Sequence, residues 1–491
     1  MIRIVTPSDM KRWDAEAIFG GIPSIELMRR AAMGLYDAVL RHRMPEQTVT
    51  VFCGSGNNGG DGFALACLLI RNSIPVRIVM LGNPERCTAE AAYYRQQALD
   101  IGVSIAEDWH EIPSEILVDA LLGIGLDRPV TGRYAEIIDR MNGSGKTILS
   151  ADIPSGLHAG DGTVLNAAIL AAETVTMQFV KTGMLLGQGR RYCGTITVCK
   201  LASSDGFVFS NELFWQEPSD VSPILPPRPF DSHKGKNGHA LVCVGSSKYP
   251  GAALLSARAA LRGGCGLLTA VVPASVRPMF SHLPEAIVVS TNTPDWNEEA
   301  CAIATEALPG KQAIGVGCGV GNGDISAFLE QALLCKIPMV IDADGLNCLA
   351  RHRALYPLLH ENVVLTPHPG EMARLLECSI SDVLNDPLSA VEVFPCVVLL
   401  KGPTTLVHFG NQTVFCTEGT PGLSKGGSGD VLTGIITALL AQGVPPFDAA
   451  RTGTYLLGTS AKEAYRLLGE RMLLAADVTE ALKQELYGTE D

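Results

Sequence analysis

The chain has 491 residues, of which 47% are hydrophobic and 18% charged, so it is long enough for two or more domains and too apolar to be disordered. Its 38 basic and 51 acidic residues give a formal net charge of −13. A charge of this sign argues against a protein that binds nucleic acid through its phosphates. The composition therefore predicts folded domains with no nucleic-acid partner.

The amino terminus and the cysteines indicate the compartment. Residues 1–17 are charged almost at once and lack the apolar run of a secretory signal. The longest stretch without acidic or basic residues, 431–447, is interrupted by glycine and proline and is too short to span a membrane. The 14 cysteines form no CxxC pair and no Cys/His cluster at zinc spacing. We therefore expect a cytoplasmic protein with free thiols and no membrane partner.

Short apolar strands alternate with helices in the first half of the chain. Residues 63–71 have the pattern of a helix. This alternation indicates an α/β fold in which a parallel sheet is covered by helices on both faces. The predicted strands lie at 48–53, 76–81, 116–119, 147–150 and 195–198.

Prolines divide the chain into two parts. Five of them fall between Glu217 and Phe230, a density that neither a helix nor a central strand accommodates. We therefore predict domains at 1–212 and 231–491, joined by a proline-rich linker at 213–230. The second domain has its own predicted strands, at 240–245, 268–272, 313–316, 339–341 and 397–400.

The first dense motif is CGSGNNGGDG at 53–62, between a predicted strand and a predicted helix. Glycines let backbone N–H groups approach an anion, and a helix N-terminus favours negative charge. The motif is neither a Walker loop nor a dinucleotide fingerprint, and a plain strand-to-helix turn is the alternative. The density of glycine, asparagine and aspartate favours a ligand site.

Two further polar motifs follow predicted strands, VDALLGIGL at 118–126 and SADIPSGL at 150–157. Ligands bind beyond the carboxyl ends of strands in parallel sheets, so we expect all three motifs to meet in one cleft. Their oxygen atoms suit a hard cation or a sugar–phosphate. Asp119 and Asp152 could instead each cap a following helix. For proton transfer, Asp152 is the best-placed carboxylate.

Together the three motifs resemble the NAD(P)H-hydrate epimerase domain over residues 1–212. The resemblance implies a Rossmann-like three-layer α/β/α sandwich and a potassium ion held by Asn58, Asp119 and Ser155. Ile124 departs from the family, which usually has threonine there, and Arg29–Arg30 replaces a commonly acidic position. The implied contacts to the hydrated nucleotide come from Asn57, Asn58, Gly59, Gly60, Asp61, Gly123, Ile124, Gly125, Leu126, Asp127, Arg128, Pro129 and Asp152.

The strongest motif of the second half is GGSGD at 426–430, followed by a helical apolar run. Backbone N–H groups at such a turn form an anion hole, and Asp430 at its end can take a proton from a hydroxyl during phosphoryl transfer. The alternative is a pair of helix caps.

His368, between two prolines, would on its own be taken as a buried structural histidine. Further motifs are HKGKNG at 233–238, GVGCGVG at 315–321, DADGLN at 342–347 and TPHPGE at 366–371.

This series resembles the ADP-dependent NAD(P)H-hydrate dehydratases, a ribokinase-like branch, over residues 231–491. Cys318 departs from the family, which usually has proline there. The resemblance implies that Mg²⁺ accompanies ADP and that Asp430 is the catalytic base. The implied nucleotide contacts are Lys401, Gly402, Pro403, Thr404, Thr405 and Gly429. The implied contacts to the hydrate are Ala252, Gly319, His368 and Asp430.

Both domains on one chain are similar to the bifunctional NAD(P)H-hydrate repair enzymes. The resemblance implies that the first domain interconverts the R and S forms of NADHX and NADPHX. The second would dehydrate the S form with ADP, releasing AMP and phosphate. A homo-oligomer is also expected. The alternative is a ribokinase-like small-molecule kinase fused to a nucleotide-binding, non-catalytic amino-terminal domain.

Overall fold

The computed structural model describes residues 1–113, 115–225 and 228–485. The chain divides between Leu213 and Phe214 into two units, the second of which also includes Met1. Among the described residues, no helix is both long and apolar enough to cross a membrane. All 14 cysteines are free thiols.

The first unit contains strands and helices in alternation. Its strands are β1 (Ile2–Val5), β2 (Thr48–Cys53), β3 (Val76–Met80), β4 (Ser104–Ala106), β5 (Glu115–Ala120), β6 (Ile148–Ala151), β7 (Glu173–Met177), β8 (Val180–Lys181) and β9 (Thr195–Cys199). Its helices are α1 (Pro7–Phe19), α2 (Ser24–His42), α3 (Asn57–Arg71), α4 (Ala89–Asp100), α5 (Arg133–Gly143), α6 (Thr182–Leu185) and α7 (Gly189–Cys193).

The main sheet of this unit is parallel and runs in the order β4-β3-β2-β5-β6-β7-β9. Side chains of β2 alternate between two cores: Val51 packs with Leu35 and Phe63, whereas Phe52 packs with Trp109 and Ile138. Helices therefore cover both faces, which confirms the predicted α/β layers. The strand order reverses between β2 and β5, and crevices open at such switch points.

Helix α3 begins at Asn57, six residues before the predicted start, so the second half of the glycine motif is helical rather than a turn. Neither Gly59 nor Gly60 has a positive φ. Instead, a Cβ on Gly59 would lie 1.9 Å from the Gly54 carbonyl oxygen, and one on Gly60 would lie 2.4 Å from Met28 Cε. Gly59 and Gly60 therefore allow α3 to pack closely against Gly54 and Met28.

The second unit repeats the alternation with different elements. Its strands are β10 (Glu212–Trp215, which spans the division), β11 (His239–Cys243), β12 (Leu267–Val272), β13 (Ile287–Ser290), β14 (Ala313–Val316), β15 (Met339–Ile341), β16 (Val363–Leu365), β17 (Val397–Leu400), β18 (Thr405–Phe409) and β19 (Gln412–Cys416). Its helices are α8 (Pro250–Arg262), α9 (Glu298–Glu306), α10 (Ser326–Leu334), α11 (Asp344–Arg351), α12 (Pro369–Leu376), α13 (Ile380–Asn385), α14 (Pro387–Val391), α15 (Ser428–Ala441), α16 (Pro446–Leu468) and α17 (Ala475–Glu485).

The sheet of this unit runs in the order β13-β12-β11-β14-β15-β16-β17-β18-β19. Its strands are parallel up to β17, and β18 and β19 then form an antiparallel hairpin. Helices α8, α15 and α16 pack on it and contribute Ala257, Ile435 and Leu456 to a large buried core. The turn that begins α15 thus lies at the edge of this core.

The segment predicted as a linker, 213–230, is partly packed on the second unit. Phe214, Ile224 and Leu225 lie against its core. Trp215 Nε1 donates to Thr417 Oγ1 at 2.8 Å, and the backbone N–H of Gln216 donates to the Phe415 carbonyl at 3.1 Å. Pro226 and Pro227 lie outside the described residues. The residues on both sides of Pro218 and Pro223 therefore already belong structurally to the second unit.

Candidate functional sites

A cleft of about 640 Å³ opens in the first unit above the carboxyl ends of β2 and β5. The three predicted motifs all contribute to it, as expected from their positions after parallel strands. Gly59, Gly60 and Pro129 are not among its lining residues. The predicted residues that do line it are Asn57, Asn58, Asp61, Gly123, Ile124, Gly125, Leu126, Asp127, Arg128 and Asp152.

Asp119 lies buried beneath this cleft, where four protein donors surround its carboxylate. Ser150 Oγ and the backbone N–H of Ser155 donate to Oδ2, each at 2.9 Å. Ser155 Oγ and the backbone N–H of Leu121 donate to Oδ1, at 2.5 and 3.3 Å. Burial raises the pKa of Asp119, and the hydrogen bonds from Ser155 partly offset this. Asp119 caps no helix and instead ties β5 to the loop that follows β6.

Asn58 connects the same cluster to the cleft. Its Nδ2 donates to the Leu122 carbonyl at 3.0 Å, whereas its Oδ1 is buried and has no hydrogen-bond partner among the residues that the structure describes. Ser155 Oγ lies 3.2 Å from that carbonyl. A buried oxygen without a donor is costly unless a cation or water satisfies it. Asn58 Oδ1, on the side chain whose nitrogen contacts Leu122 beside Ser155, is thus a candidate ligand for a hard cation.

Asp152 projects into the cleft and forms an ion pair with Lys181. Its φ is +64°, a left-handed conformation that few residues other than glycine adopt. Asp152 Oδ1 also accepts from the backbone N–H of Met177 at 3.0 Å. The fully buried Lys181 ammonium donates to Thr176 Oγ1 and to the Met177 carbonyl, each at 2.9 Å. Asp152 therefore positions a buried cation and caps no helix.

Two more carboxyl groups line the cleft beside this pair. Burial and the charge of Asp152 raise the pKa of Asp14 to about 6. Burial, with the charges of Asp152 and Asp14, raises the pKa of Asp61 well above its ordinary range. Sequence reasoning included Asp61 but missed Asp14 and gave Lys181 no role. Asp14 and Lys181 belong to no glycine motif, and only the fold brings them close to the loop after β6.

The second site is centred on an ion pair between the buried Asp342 and the partly buried Lys401. Asp342 follows β15, and its Oδ1 accepts from Lys401 Nζ at 2.7 Å while Oδ2 accepts from Thr433 Oγ1 at 2.8 Å. Burial alone would raise the pKa of Asp342, but the Lys401 ammonium and these hydrogen bonds outweigh it and lower the pKa. The carboxylate of Glu371 lies 3.8 Å from the same ammonium. Asp342 and Glu371 were predicted only as members of motifs.

Asp430 is the third residue of α15, immediately beside this pair. The helix begins after Gly427, whose φ is +100°, and no side chain caps its first turn. The first N–H groups of α15 are therefore open to an anion, as the GGSGD motif predicts. Burial and the negative charge of Asp342 raise the pKa of Asp430 to about 6. A Cβ on Gly429 would lie 3.6 Å from Lys401 Nζ, so Gly429 and Lys401 are close together.

The turn after β14 completes one wall of this site. Gly319 has a φ of +66°, and a Cβ there would lie 2.7 Å from Ala252 Cβ. These two predicted residues are therefore in direct proximity. The thiol of Cys318 lies 3.9 Å from Asp342 Oδ2 and is fully buried. Cys318 thus brings a polar sulfur beside the Asp342 carboxylate, at the position where the family usually has proline.

His368 is exposed, so the expectation of a buried structural histidine is wrong. Its ring instead caps α12: Nδ1 accepts from the backbone N–H groups of Gly370 and Glu371, at 3.0 and 3.3 Å. The Glu371 carboxylate accepts from the His368 backbone N–H at 2.8 Å. The fixed ring remains accessible because the flanking prolines place it at the helix start.

The stretch predicted to hold the nucleotide forms the turn between β17 and β18. Lys401 follows β17, and Thr405 begins β18. The backbone N–H of Lys401 donates to the Pro367 carbonyl at 2.8 Å, which joins this turn to the loop that carries His368. The structure therefore connects Lys401, His368, Asp430 and Gly319 into one continuous group.

Two family models match separate parts of the chain. The model described as "YjeF-related protein N-terminus" matches residues 24–183. The model described as "NAD(P)H-hydrate dehydratase" matches residues 240–484. An ADP/ATP-dependent NAD(P)H-hydrate dehydratase from Bacillus subtilis, co-crystallized with ATP/Mg²⁺, is 28% identical. That alignment covers 56% of this chain and 97% of that chain, with a TM-score of 0.48.

Curated relatives match nearly the whole chain. A bifunctional NAD(P)H-hydrate repair enzyme from Vibrio cholerae is 36% identical, and the alignment covers 95% of this chain and 94% of that protein. One from Escherichia coli is 34% identical and covers 97% and 92%. The match thus extends over both units and both candidate sites, and the chain belongs to the family of bifunctional NAD(P)H-hydrate repair enzymes.

Proposed function

We propose that this chain repairs hydrated NADH and NADPH in two steps, epimerisation in the first unit and ADP-dependent dehydration in the second. The observation that carries the proposal is that each unit holds a lysine–aspartate ion pair beside a carboxyl of raised pKa, in the site that its own motifs predict. A reducing, cytoplasmic setting suits the 14 free thiols. The expected homo-oligomer stays a prediction.

Epimerisation in the first site proceeds by loss and return of the hydroxyl on the hydrated carbon. The C–O bond breaks as a proton joins the leaving oxygen, and the ring nitrogen stabilises the resulting cation. Water then adds to the opposite face and gives up a proton. Asp61 suits the donor role because burial raises its pKa well above the ordinary value. Asp14, with a pKa of about 6, can exchange a proton near neutral pH, and Asp152 suits the acceptor role. Lys181 holds Asp152 in position.

A potassium ion in this unit would be held by Asn58 and Ser155, with the negative charge of Asp119 behind them. The unpartnered Asn58 Oδ1 supports this assignment. When bound, the ion would supply positive charge that attracts the phosphates of the nucleotide. A Cβ on Gly123 would lie 3.4 Å from the Asn58 Cβ, so the two residues are close together. Their packing would fix the loop that contacts the phosphates.

Dehydration in the second site begins with phosphoryl transfer. Asp430 takes the proton of the substrate hydroxyl, the oxygen attacks the terminal phosphorus of ADP, and AMP leaves. The C–O bond of the hydrated carbon, whose oxygen now carries the phosphoryl group, then breaks as the ring nitrogen donates its electrons, and phosphate leaves. Loss of a proton from the adjacent ring carbon then restores the dihydronicotinamide. The uncapped first turn of α15 and the Lys401 ammonium would stabilise the charge on the transferred group.

Magnesium would accompany the nucleotide in this site. Asp342 and Glu371, the carboxylates on either side of Lys401, are oxygen donors of the kind it prefers. When bound, the ion would neutralise charge on the phosphate oxygens. The nucleotide itself would lie along 401–405 and Gly429, and ADP is the proposed phosphoryl donor.

The proposal is tested by incubating the full chain with mixed NADHX epimers, ADP and Mg²⁺ and following the recovery of NADH absorbance. If both activities are present, the whole pool is recovered in one fast phase. If fast recovery instead ends once the S epimer is consumed and continues only at the rate of spontaneous epimerisation, the epimerase activity is contradicted. If no NADH is recovered, the dehydratase activity is contradicted.

The alternative is a ribokinase-like kinase, which the anion hole of α15 would also suit. A kinase would retain phosphate on its product, whereas the proposed enzyme releases it. Measuring free phosphate against recovered NADH separates the two, because the dehydratase requires equal amounts of both.

A further inference from the structure

Three side chains that neither proposed reaction uses meet on one side of the second unit. Asp324 lies in the loop before α10, Cys348 lies within α11, and His352 ends that helix. Their ligand atoms all lie within 4.8 Å of one another. Cys348 and His352 are four residues apart on one helix, so they face the same direction. Sequence spacing alone did not reveal the group, because Asp324 is 24 residues from Cys348 and comes close to it only in the folded chain.

The distances within this group match two edges of a metal tetrahedron. Asp324 Oδ1 lies 3.6 Å from Cys348 Sγ and 3.4 Å from His352 Nε2. Zinc bonds of about 2.0 Å to N or O and about 2.3 Å to S give ligand–ligand separations of roughly 3.3–3.6 Å at the tetrahedral angle. A cation could therefore be bound with small adjustments of these side chains.

The surroundings also fit the requirements of a metal site. The backbone N–H of Ser326 donates to Asp324 Oδ1 at 2.9 Å, which orients the carboxylate from outside the group. Cys348 is buried, whereas the side chains of Asp324 and His352 are 60% and 39% exposed, so a cation can enter from solvent. A simple ion pair with a thiol neighbour is the competing explanation. Burial raises the pKa of Cys348 to about 11, so its thiol keeps its proton until a cation displaces it.

We propose that Asp324, Cys348 and His352 form a binding site for a borderline-soft divalent cation of the Zn²⁺ class, with water as the fourth ligand. One oxygen, one sulfur and one nitrogen donor favour such a cation over Mg²⁺ or Ca²⁺. The cation ties the carboxyl end of α11 to the loop before α10. Helix α11 begins at Asp344, whose carboxylate accepts from the backbone N–H of Gly321 at 2.7 Å, so the same elements border the dehydratase site.

The test uses the chelator-treated full chain, free of nucleotide, titrated with Co²⁺ as the probe. We expect one equivalent to bind with a thiolate-to-cobalt charge-transfer band and the visible bands of tetrahedral cobalt, and Zn²⁺ to displace it. C348S should abolish the charge-transfer band. H352Q and D324N, at accessible positions that are safer for folding, should each weaken binding at least about tenfold.

C335S and C378S serve as matched controls, since both thiols are exposed and lie outside the group. They should bind Co²⁺ like the unmodified chain. The proposal is overturned if the unmodified chain shows no charge-transfer band. It is equally overturned if the band persists in C348S, or if H352Q and D324N both bind cobalt with unchanged affinity.

Discussion

At the residue scale, both candidate sites combine the same groups. Each holds a lysine paired with one aspartate, the buried Lys181 with Asp152 and the partly buried Lys401 with Asp342. A further carboxyl of raised pKa lies beside each pair. The lysine ammonium keeps its partner aspartate ionised. The negative charge of that aspartate, together with burial, then raises the pKa of the second carboxyl toward neutral pH. Such a group can exchange protons with a substrate under physiological conditions.

We predict that D430N lowers the rate of dehydration of pure S epimer about 10²–10⁴-fold, the usual cost of losing a general base. Nucleotide affinity should change little, because the first N–H groups of α15 and Lys401 remain. Single-turnover kinetics and equilibrium ADP binding measure the two effects. E330Q, at an exposed carboxylate of α10, is the control. Turnover of D430N near that of the unmodified chain would contradict the assignment.

The rate of dehydration should depend on pH through Asp430. Its pKa of about 6 lies above the ordinary value, and only the ionised form accepts a proton. The rate should therefore rise as pH increases through about 6 and then level off. The measurement is single-turnover kcat/KM for S epimer between about pH 5 and 8. A flat profile across that range would show that Asp430 does not titrate in the reaction.

We predict that D152N slows the conversion of R to S epimer about 10²–10⁴-fold without affecting dehydration of pure S epimer. Asparagine is the better test than alanine, because it keeps a hydrogen-bond acceptor beside the buried Lys181. The assay must be fast and corrected for spontaneous epimerisation. D100N, at an exposed carboxyl of the same unit, is the control. An unchanged corrected rate in D152N would leave Asp152 with a structural role only.

At the element scale, the strands were the most predictable part of the fold. The predicted strands 48–53, 313–316, 339–341 and 397–400 match β2, β14, β15 and β17, because buried parallel strands are short apolar runs bounded by turns. The predicted start of α3 was wrong because a run of glycines usually indicates a turn. Here Gly59 and Gly60 are helical, and glycine is needed because neighbouring atoms leave no room for a Cβ. Lys181 and Asp14 were missed because only tertiary structure brings them beside Asp152.

Packing of α3 gives a prediction at this scale. G59A should destabilise the chain by about 1–3 kcal/mol, because its Cβ would overlap the Gly54 carbonyl oxygen. G56A is the matched control: nothing lies within 4 Å of its prospective Cβ, and its φ of −86° suits alanine. G56A should change the stability by less than about 1 kcal/mol. Denaturant unfolding measures both variants, and equal stabilities would show that α3 does not need glycine at 59.

At the scale of the whole molecule, the fold is two α/β units in series, each with its own core and its own candidate site. Composition and the proline cluster predict two domains, but they cannot show which unit the apolar residues before and among the prolines join. That depends on the burial of Phe214, Ile224 and Leu225, which pack on the second core. The proposed activities share no residue, so each unit should function alone.

We therefore predict that residues 214–491 form a stable fragment that dehydrates pure S epimer, whereas 231–491 is less stable. The shorter fragment loses the packing of Phe214, Ile224 and Leu225 and the hydrogen bond from Trp215 to Thr417. Exposing this apolar surface should cost at least about 2 kcal/mol. Thermal and denaturant unfolding of the two fragments, each assayed with ADP and S epimer, makes the comparison. If 231–491 is as stable and active as 214–491, the packed segment is dispensable and the boundary lies at the prolines. If neither fragment folds, the second unit depends on the rest of the chain, and the independence of the two units is lost.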